Sequence, residues 1–127
     1  MIKILLNSRK VMMNNQYGFG GMLTIDVGSS EKANELMELM QNRNLGYLAV
    51  SLGFYKTLFS APGSSTSSEI PEDEQKAMGL SNGLIRFSIG LDADIERTYD
   101  MMYDSMKILN ILNPKNSHLT KRVERVL

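Results

Sequence analysis

Apolar and polar residues alternate with a period of two over Met22–Val27, where Leu23, Ile25 and Val27 share one face and Thr24 and Asp26 the other. Such alternation predicts a half-buried strand. The pattern returns at Leu84–Ile89: Ile85, Phe87 and Ile89 face one way, Arg86 and Ser88 the other. Tyr47–Ser51 reads as a compact apolar strand closed by Gly53, and Thr57–Phe59 as a further short extended piece. Elsewhere the period is helical. Ala33, Leu36, Met37 and Met40 form one stripe over Glu31–Arg43, with Ser30 as N-cap and Asn44 and Gly46 as stop signals. Pro71 suits a first helical turn, Glu72, Asp73 and Glu74 suit the positive end of the helix dipole, and Gly79 ends that short helix. Asp92 and Asp94 open the longest helix, Asp94–Leu112, with Ile95, Tyr99, Met102, Met106 and Leu109 on one stripe and Pro114 beyond its end. A short helix is expected over Ile4–Met13, followed by a breaker cluster over Asn14–Gly21.

Strands with helices between them, too few for a doubly wound sheet, predict an α+β fold: a small, mostly antiparallel sheet covered on one face by helices near Glu31–Arg43 and Asp94–Leu112. At 127 residues the chain is one domain's worth. Fourteen basic residues balance fourteen acidic ones, which excludes the field of a general nucleic-acid binder. There is no cysteine, hence no disulfide, thiolate metal site or thiol nucleophile. The longest apolar stretch, Tyr47–Phe54, is far short of the roughly 20 residues that cross a bilayer, and the run after Met1 is too short for a secretory signal. The expectation is one soluble, cytoplasmic domain with no membrane or nucleic-acid partner.

Candidate chemistry is sparse. His118 is the only histidine and no zinc-ligand spacing occurs, so no metal site is expected. Gly18-Phe19-Gly20-Gly21 precedes a strand rather than opening a helix, and its spacing departs from the dinucleotide fingerprint, so it reads as a turn. Ser64–Ser68 reads as a solvated hydroxyl-rich loop before a phosphate cradle, and Glu69 with Glu72–Glu74 as a solvated helix start. The ten methionines fall mostly on helix stripes, where they fill core gaps. Arg86 resists such a reading. It stands mid-strand between Ile85 and Phe87, always charged, with a planar fork that matches a carboxylate. A salt-bridged or snorkelling arginine on an exposed sheet face is the competing account.

From Ala49 to Met102 the chain carries, in order, A-V-S-L-G, a serine/threonine loop, P-E-x-E, a short helix to glycine, then G-L-I-R-F-S-I-G-L and an acidic helix start. This series resembles the C-terminal domain of the Cys/Met-metabolism family of pyridoxal-phosphate (PLP) enzymes, the group of methionine γ-lyase, the cystathionine lyases and synthases, and the homoserine-ester sulfhydrylases. Gly18–Val27 resembles the strand that opens that domain. The resemblance implies the small domain of a fold-type I PLP enzyme over residues 17–112, preceded by a remnant of the interdomain connection (1–16) and followed by a polar, basic tail (113–127). It implies that Arg86 holds the α-carboxylate of an amino-acid substrate and that Ser51 lines the same pocket. No residue of this chain is expected to act as the catalytic lysine.

In the family the large N-terminal domain supplies the PLP lysine, the aspartate opposite the pyridine nitrogen, the phosphate loop and an active tyrosine; no motif here resembles any of them. Lys56 stands where relatives often carry an acid. Two readings stay open. One is a substrate-carboxylate domain, from a split gene or expressed alone, that pairs with a separate large domain or forms a homo-oligomer and is inactive by itself. The other is a free-standing, non-catalytic module or remnant. An α+β fold hosts many functions and does not choose between them.

Overall fold

The computed structural model describes residues 20–112 apart from residues 66 and 92. The helix expected over Ile4–Met13, the flanking segments 1–16 and 113–127, the stop at Pro114 and His118 lie outside the described residues. Four strands form one sheet: β1 (Met22–Asp26), β2 (Gly46–Leu48), β3 (Thr57–Ser60) and β4 (Leu84–Ser88), in the order β1-β4-β3-β2. β4 pairs antiparallel with β1 and with β3, while β2 pairs parallel with β3. The sheet is therefore mixed, with the antiparallel pairings in the majority. The parallel pair arises because residues 49–56 carry the chain back along the sheet instead of turning it in a hairpin.

Helices α1 (Ser30–Asn42) and α3 (Ile95–Ile108) cover one face; α2 (Glu72–Ala77) is a single short turn-and-a-half after the hydroxyl-rich loop. Leu36, Met37 and Met40 from α1 and Met102 from α3 join Phe59, Ile85 and Phe87 of the sheet in one core. Phe59 and Phe87 are direct cross-strand partners with ring centroids 6.0 Å apart and planes tilted by 52°, an arrangement that suits the ring quadrupoles. Both helices thus lie on the face that bears Ile85 and Phe87, as the alternation in β4 predicts.

Several boundaries move, each for a local reason. Ser29, not Ser30, caps α1: its hydroxyl accepts from Lys32 N at 3.3 Å. The Glu31 carboxyl beside it lies below its ordinary pKa, held there by its own backbone N–H and the Ser29 hydroxyl. Pro71 occupies the N-cap of α2 and not the first turn. α3 stops at Ile108, before the expected Leu112, because Asn110 turns left-handed (φ 52). Asn110 N then donates to Lys107 O and Ile111 N to Met106 O, the paired bonds of a Schellman close. Asn44 (φ 58) closes α1 in the same way, with Asn44 N donating to Gln41 O and Leu45 N to Met40 O. β2 ends at Leu48, so Ser51 sits in a loop, and as an edge strand it leaves Tyr47 and Leu48 exposed.

The buried side of α3 also differs from the apolar stripe. Ile95 and Tyr99 are exposed, and Thr98, Met102 and Ser105 point inward. Ser105 is fully buried yet satisfied: its hydroxyl donates to Met101 O at 2.7 Å and accepts from Arg43 Nη1 at 2.9 Å. Arg43, at the end of α1, reaches Met101 O at 3.3 Å and Asp104 at 4.0 Å as well. A polar clamp between the helices has turned α3 about its axis.

Gly46 opens β2 with its Cα paired against Thr57. A Cβ there would overlap the Thr57 carbonyl and sit 3.0 Å from the Phe59 ring. Backbone cannot rotate aside as a flexible side chain can. Gly46→Ala is expected to cost about 1–3 kcal/mol in urea unfolding; an unchanged unfolding midpoint would show that β2 can move off β3.

Candidate functional site

β4 places Arg86 on the sheet face opposite Ile85 and Phe87, between its register partners Thr24 of β1 and Ser60 of β3. The 49–56 loop folds over this face. Gly53 N donates to Ser88 Oγ at 3.2 Å, and Arg86 Nη2 donates to Val50 O at 3.1 Å and Ser51 O at 3.3 Å. The two residues singled out from the sequence are therefore brought together, through the Ser51 carbonyl. The Ser51 hydroxyl and N–H take part in no hydrogen bond among the described residues, and Ser51 is exposed.

Arg86 is half-buried and makes no ion pair among the described residues, where the salt bridges are Arg43–Asp104 and Lys76–Glu72. The competing account of Arg86 as a salt-bridged surface arginine therefore has no partner among the described residues. Its Nη1 donates to nothing described, and its Nε is buried without a hydrogen-bond partner. A partly desolvated guanidinium with unused donors and no counter-charge among the described residues is suited to receive an anion, most naturally a planar carboxylate.

The other candidates resolve as structure. In the hydroxyl-rich loop Ser64 Oγ and Ser65 Oγ both donate to Ala61 O, Ser68 Oγ donates to Ser65 O, and Gln75 Nε2 holds Ser67 O and Ile70 O. These hydroxyls fasten their own loop. Among the described residues no cluster of three or more His, Asp or Glu could hold a metal ion, and no helix is long and apolar enough to cross a membrane. A cavity of about 40 Å³ lined by Asn44, Leu45, Arg97, Thr98 and Met101 lies on the helix side, away from Arg86; it has room for little more than a water or two.

Lys32, Lys56, Lys76 and Lys107 are all exposed. Lys56 Nζ donates to Tyr47 OH at 3.1 Å and lies 5.1 Å from the centroid of that ring, and this hydrogen bond raises its pKa above the ordinary lysine value. A lysine kept protonated is poorly placed to form an imine, so Lys56 does not fit covalent attachment of PLP. The raised pKa implies that the Lys56–Tyr47 contact stabilises the fold below the unfolded lysine pKa and is lost as pH rises through the folded one. Tyr47→Phe is expected to bring the Lys56 pKa back down in an NMR titration of its ε-protons; an unmoved titration would count against the contact.

A profile for the Cys/Met metabolism PLP-dependent enzymes matches residues 7–109. The chain belongs to this family. It is 48% identical over 91 residues to a methionine gamma-lyase of Arabidopsis thaliana, covering 71% of this chain and 21% of that one. It is 37% identical over 75 residues to a cystathionine gamma-lyase of Bacillus subtilis, covering 59% and 19%. The chain thus spans about a fifth of the length of these curated relatives. Among solved structures it resembles a Campylobacter jejuni protein assigned as an O-acetylhomoserine (thiol)-lyase (TM-score 0.66, 27% identity, 80% of this chain and 23% of that one), which carries a pyridoxyl-lysine phosphate. It also resembles a cystathionine gamma synthase of Xanthomonas oryzae in complex with cystathionine (TM-score 0.61, 26% identity, 72% and 23%). The fold is that of part of a fold-type I PLP enzyme, and the family is PLP-dependent.

Proposed function

We propose that residues 17–112 are the small, substrate-binding domain of a PLP enzyme that eliminates or replaces groups on sulfur amino acids, in the manner of methionine γ-lyase. The observation that carries this is the half-buried Arg86 guanidinium, which meets no carboxylate among the described residues. Its Nη2 is steadied by the Val50 and Ser51 carbonyls, and its Nη1 remains for the α-carboxylate of an amino acid. Ser51, with an unused hydroxyl and N–H beside that guanidinium, lines the same pocket. The cofactor supplies the electron sink of such reactions; the residues of this chain bind and orient the substrate.

The surroundings of Arg86 support a partner across this face. Val50 and Leu52, in the loop that folds over Arg86, are 57% and 53% exposed, apolar surface that a covering domain would bury. In this reading a large PLP-binding domain, in the cytoplasm, covers it, and residues 17–112 alone are inactive. The test is to graft residues 17–112 in place of the matching segment of the Arabidopsis methionine gamma-lyase. A chimera that binds PLP and cleaves L-methionine supports the proposal. A chimera that assembles and binds PLP but does not turn over returns the chain to the reading of a free-standing module.

A further inference from the structure

Two buried polar atoms on the Arg86 face have no hydrogen-bond partner among the described residues, and they belong to neighbouring residues. Ser60 is only 3% exposed and its Oγ is unbonded; Arg86 Nε is unbonded too. Ser60 and Arg86 are register partners in the antiparallel β3–β4 pair, so their side chains leave the same face side by side. An N–H on a charged group and a hydroxyl oxygen have complementary needs, and leaving either buried and unpaired is costly. We infer that Ser60 is the positioning residue for Arg86, holding the Nε edge of its guanidinium through one shared water molecule. Nε–H donates to the water oxygen, and the water donates to Ser60 Oγ.

The other groups around Arg86 are accounted for. Thr24, its partner on β1, is exposed, so solvent serves its hydroxyl. Ser88 Oγ already accepts from Gly53 N, and the Val50 and Ser51 carbonyls take Nη2. With Nη2 and Nε both held, the plane of the guanidinium is set and Nη1 is the nitrogen left facing outward. Pre-organising the fork in this way lowers the ordering cost of receiving a ligand. That consequence deepens the carboxylate-binding proposal for Arg86 and rests on it; the Ser60–Arg86 link itself does not.

The experiment is NMR on the full ¹⁵N-labelled chain at mildly acidic pH, following the Arg86 Hε–Nε signal and its exchange with solvent. Wild type and Ser60→Thr, which keeps the hydroxyl, should show slow exchange. Ser60→Ala should exchange at least tenfold faster, with a shifted Nε resonance and an otherwise conserved amide spectrum. Thr24→Val should match wild type. Equal Hε exchange in wild type and Ser60→Ala, or acceleration in Thr24→Val alone, overturns the inference. In the methionine gamma-lyase chimera, Ser60→Ala should raise KM several-fold and leave kcat within about twofold. If Arg86→Ala keeps full activity in that chimera while the Hε result holds, the carboxylate proposal falls and the Ser60 link stands.

Discussion

Phe87→Ala is expected to remove about 3–5 kcal/mol of stability, out of a total of about 5–15 kcal/mol for an ordinary domain. Phe87 is fully buried in the central strand β4, paired with Leu23 on one side and Phe59 on the other. Its ring shares one core with the α1 side chains Leu36 and Met40, which are fully buried themselves. Backbone hydrogen bonds on both sides of β4 keep the strand from collapsing into the space left behind, so the cavity persists. Phe87→Leu, which keeps most of the volume, should cost less than half as much. Phe59→Ala opens the same space, so the double mutant should lose less than the sum of the two. Urea unfolding followed by circular dichroism reads all three; a loss below about 1 kcal/mol for Phe87→Ala would mean that α1 repacks onto the sheet.

What was legible in the chain is what is local. Side-chain alternation in Leu84–Ile89 marks the strand, its buried face and the outward Arg86 at once, because a strand's period assigns every residue to a face. The α1 stripe of Ala33, Leu36, Met37 and Met40 is buried as read. Pairing is not local. Nothing in Tyr47–Leu48 announces that β2 will lie parallel to β3 at a sheet edge, a result of where residues 49–56 run. The turn of α3 was hidden for a similar reason. Ser105 is buried because Arg43, 62 residues away, supplies its partner, and no hydrophobic pattern encodes that exchange. The early stop at Asn110 was carried by a residue type that tolerates a left-handed backbone, a weaker signal than the proline farther on.

The site divides in the same way. Arg86 stood out as a permanent charge in an apolar strand. Ser51 came from the family resemblance, and the structure sets it beside Arg86 by its carbonyl. Ser60 was missed, since a serine at the end of Thr57–Ser60 is unremarkable until the β3–β4 register puts it against Arg86. The available signal was the polar face shared by Ser60, Arg86 and Ser88, which becomes visible only once the strands are paired.

In the methionine gamma-lyase chimera, Arg86→Ala is expected to lower kcat/KM for L-methionine by roughly ten- to a hundredfold, the scale of a charged hydrogen-bonded contact worth about 1.5–3 kcal/mol. The loss should appear mainly as a higher KM, because the α-carboxylate keeps its charge from substrate to transition state and its binding is nearly uniform along the reaction. Arg86→Lys should recover only part of it. An ammonium is a point donor, and the lysine stem cannot hold the Val50 and Ser51 carbonyls while presenting a second nitrogen outward, as Nη2 and Nη1 do here. An α-amino acid amide, which lacks the carboxylate charge, should be a poor substrate for the wild-type chimera and should lose little further activity in Arg86→Ala. That comparison separates a carboxylate contact from a general loosening of β4, which would lower activity towards acid and amide alike. Wild-type kinetics in Arg86→Ala, or equal losses on the two substrates, would make Arg86 a prop for the 49–56 loop and leave the carboxylate to another residue.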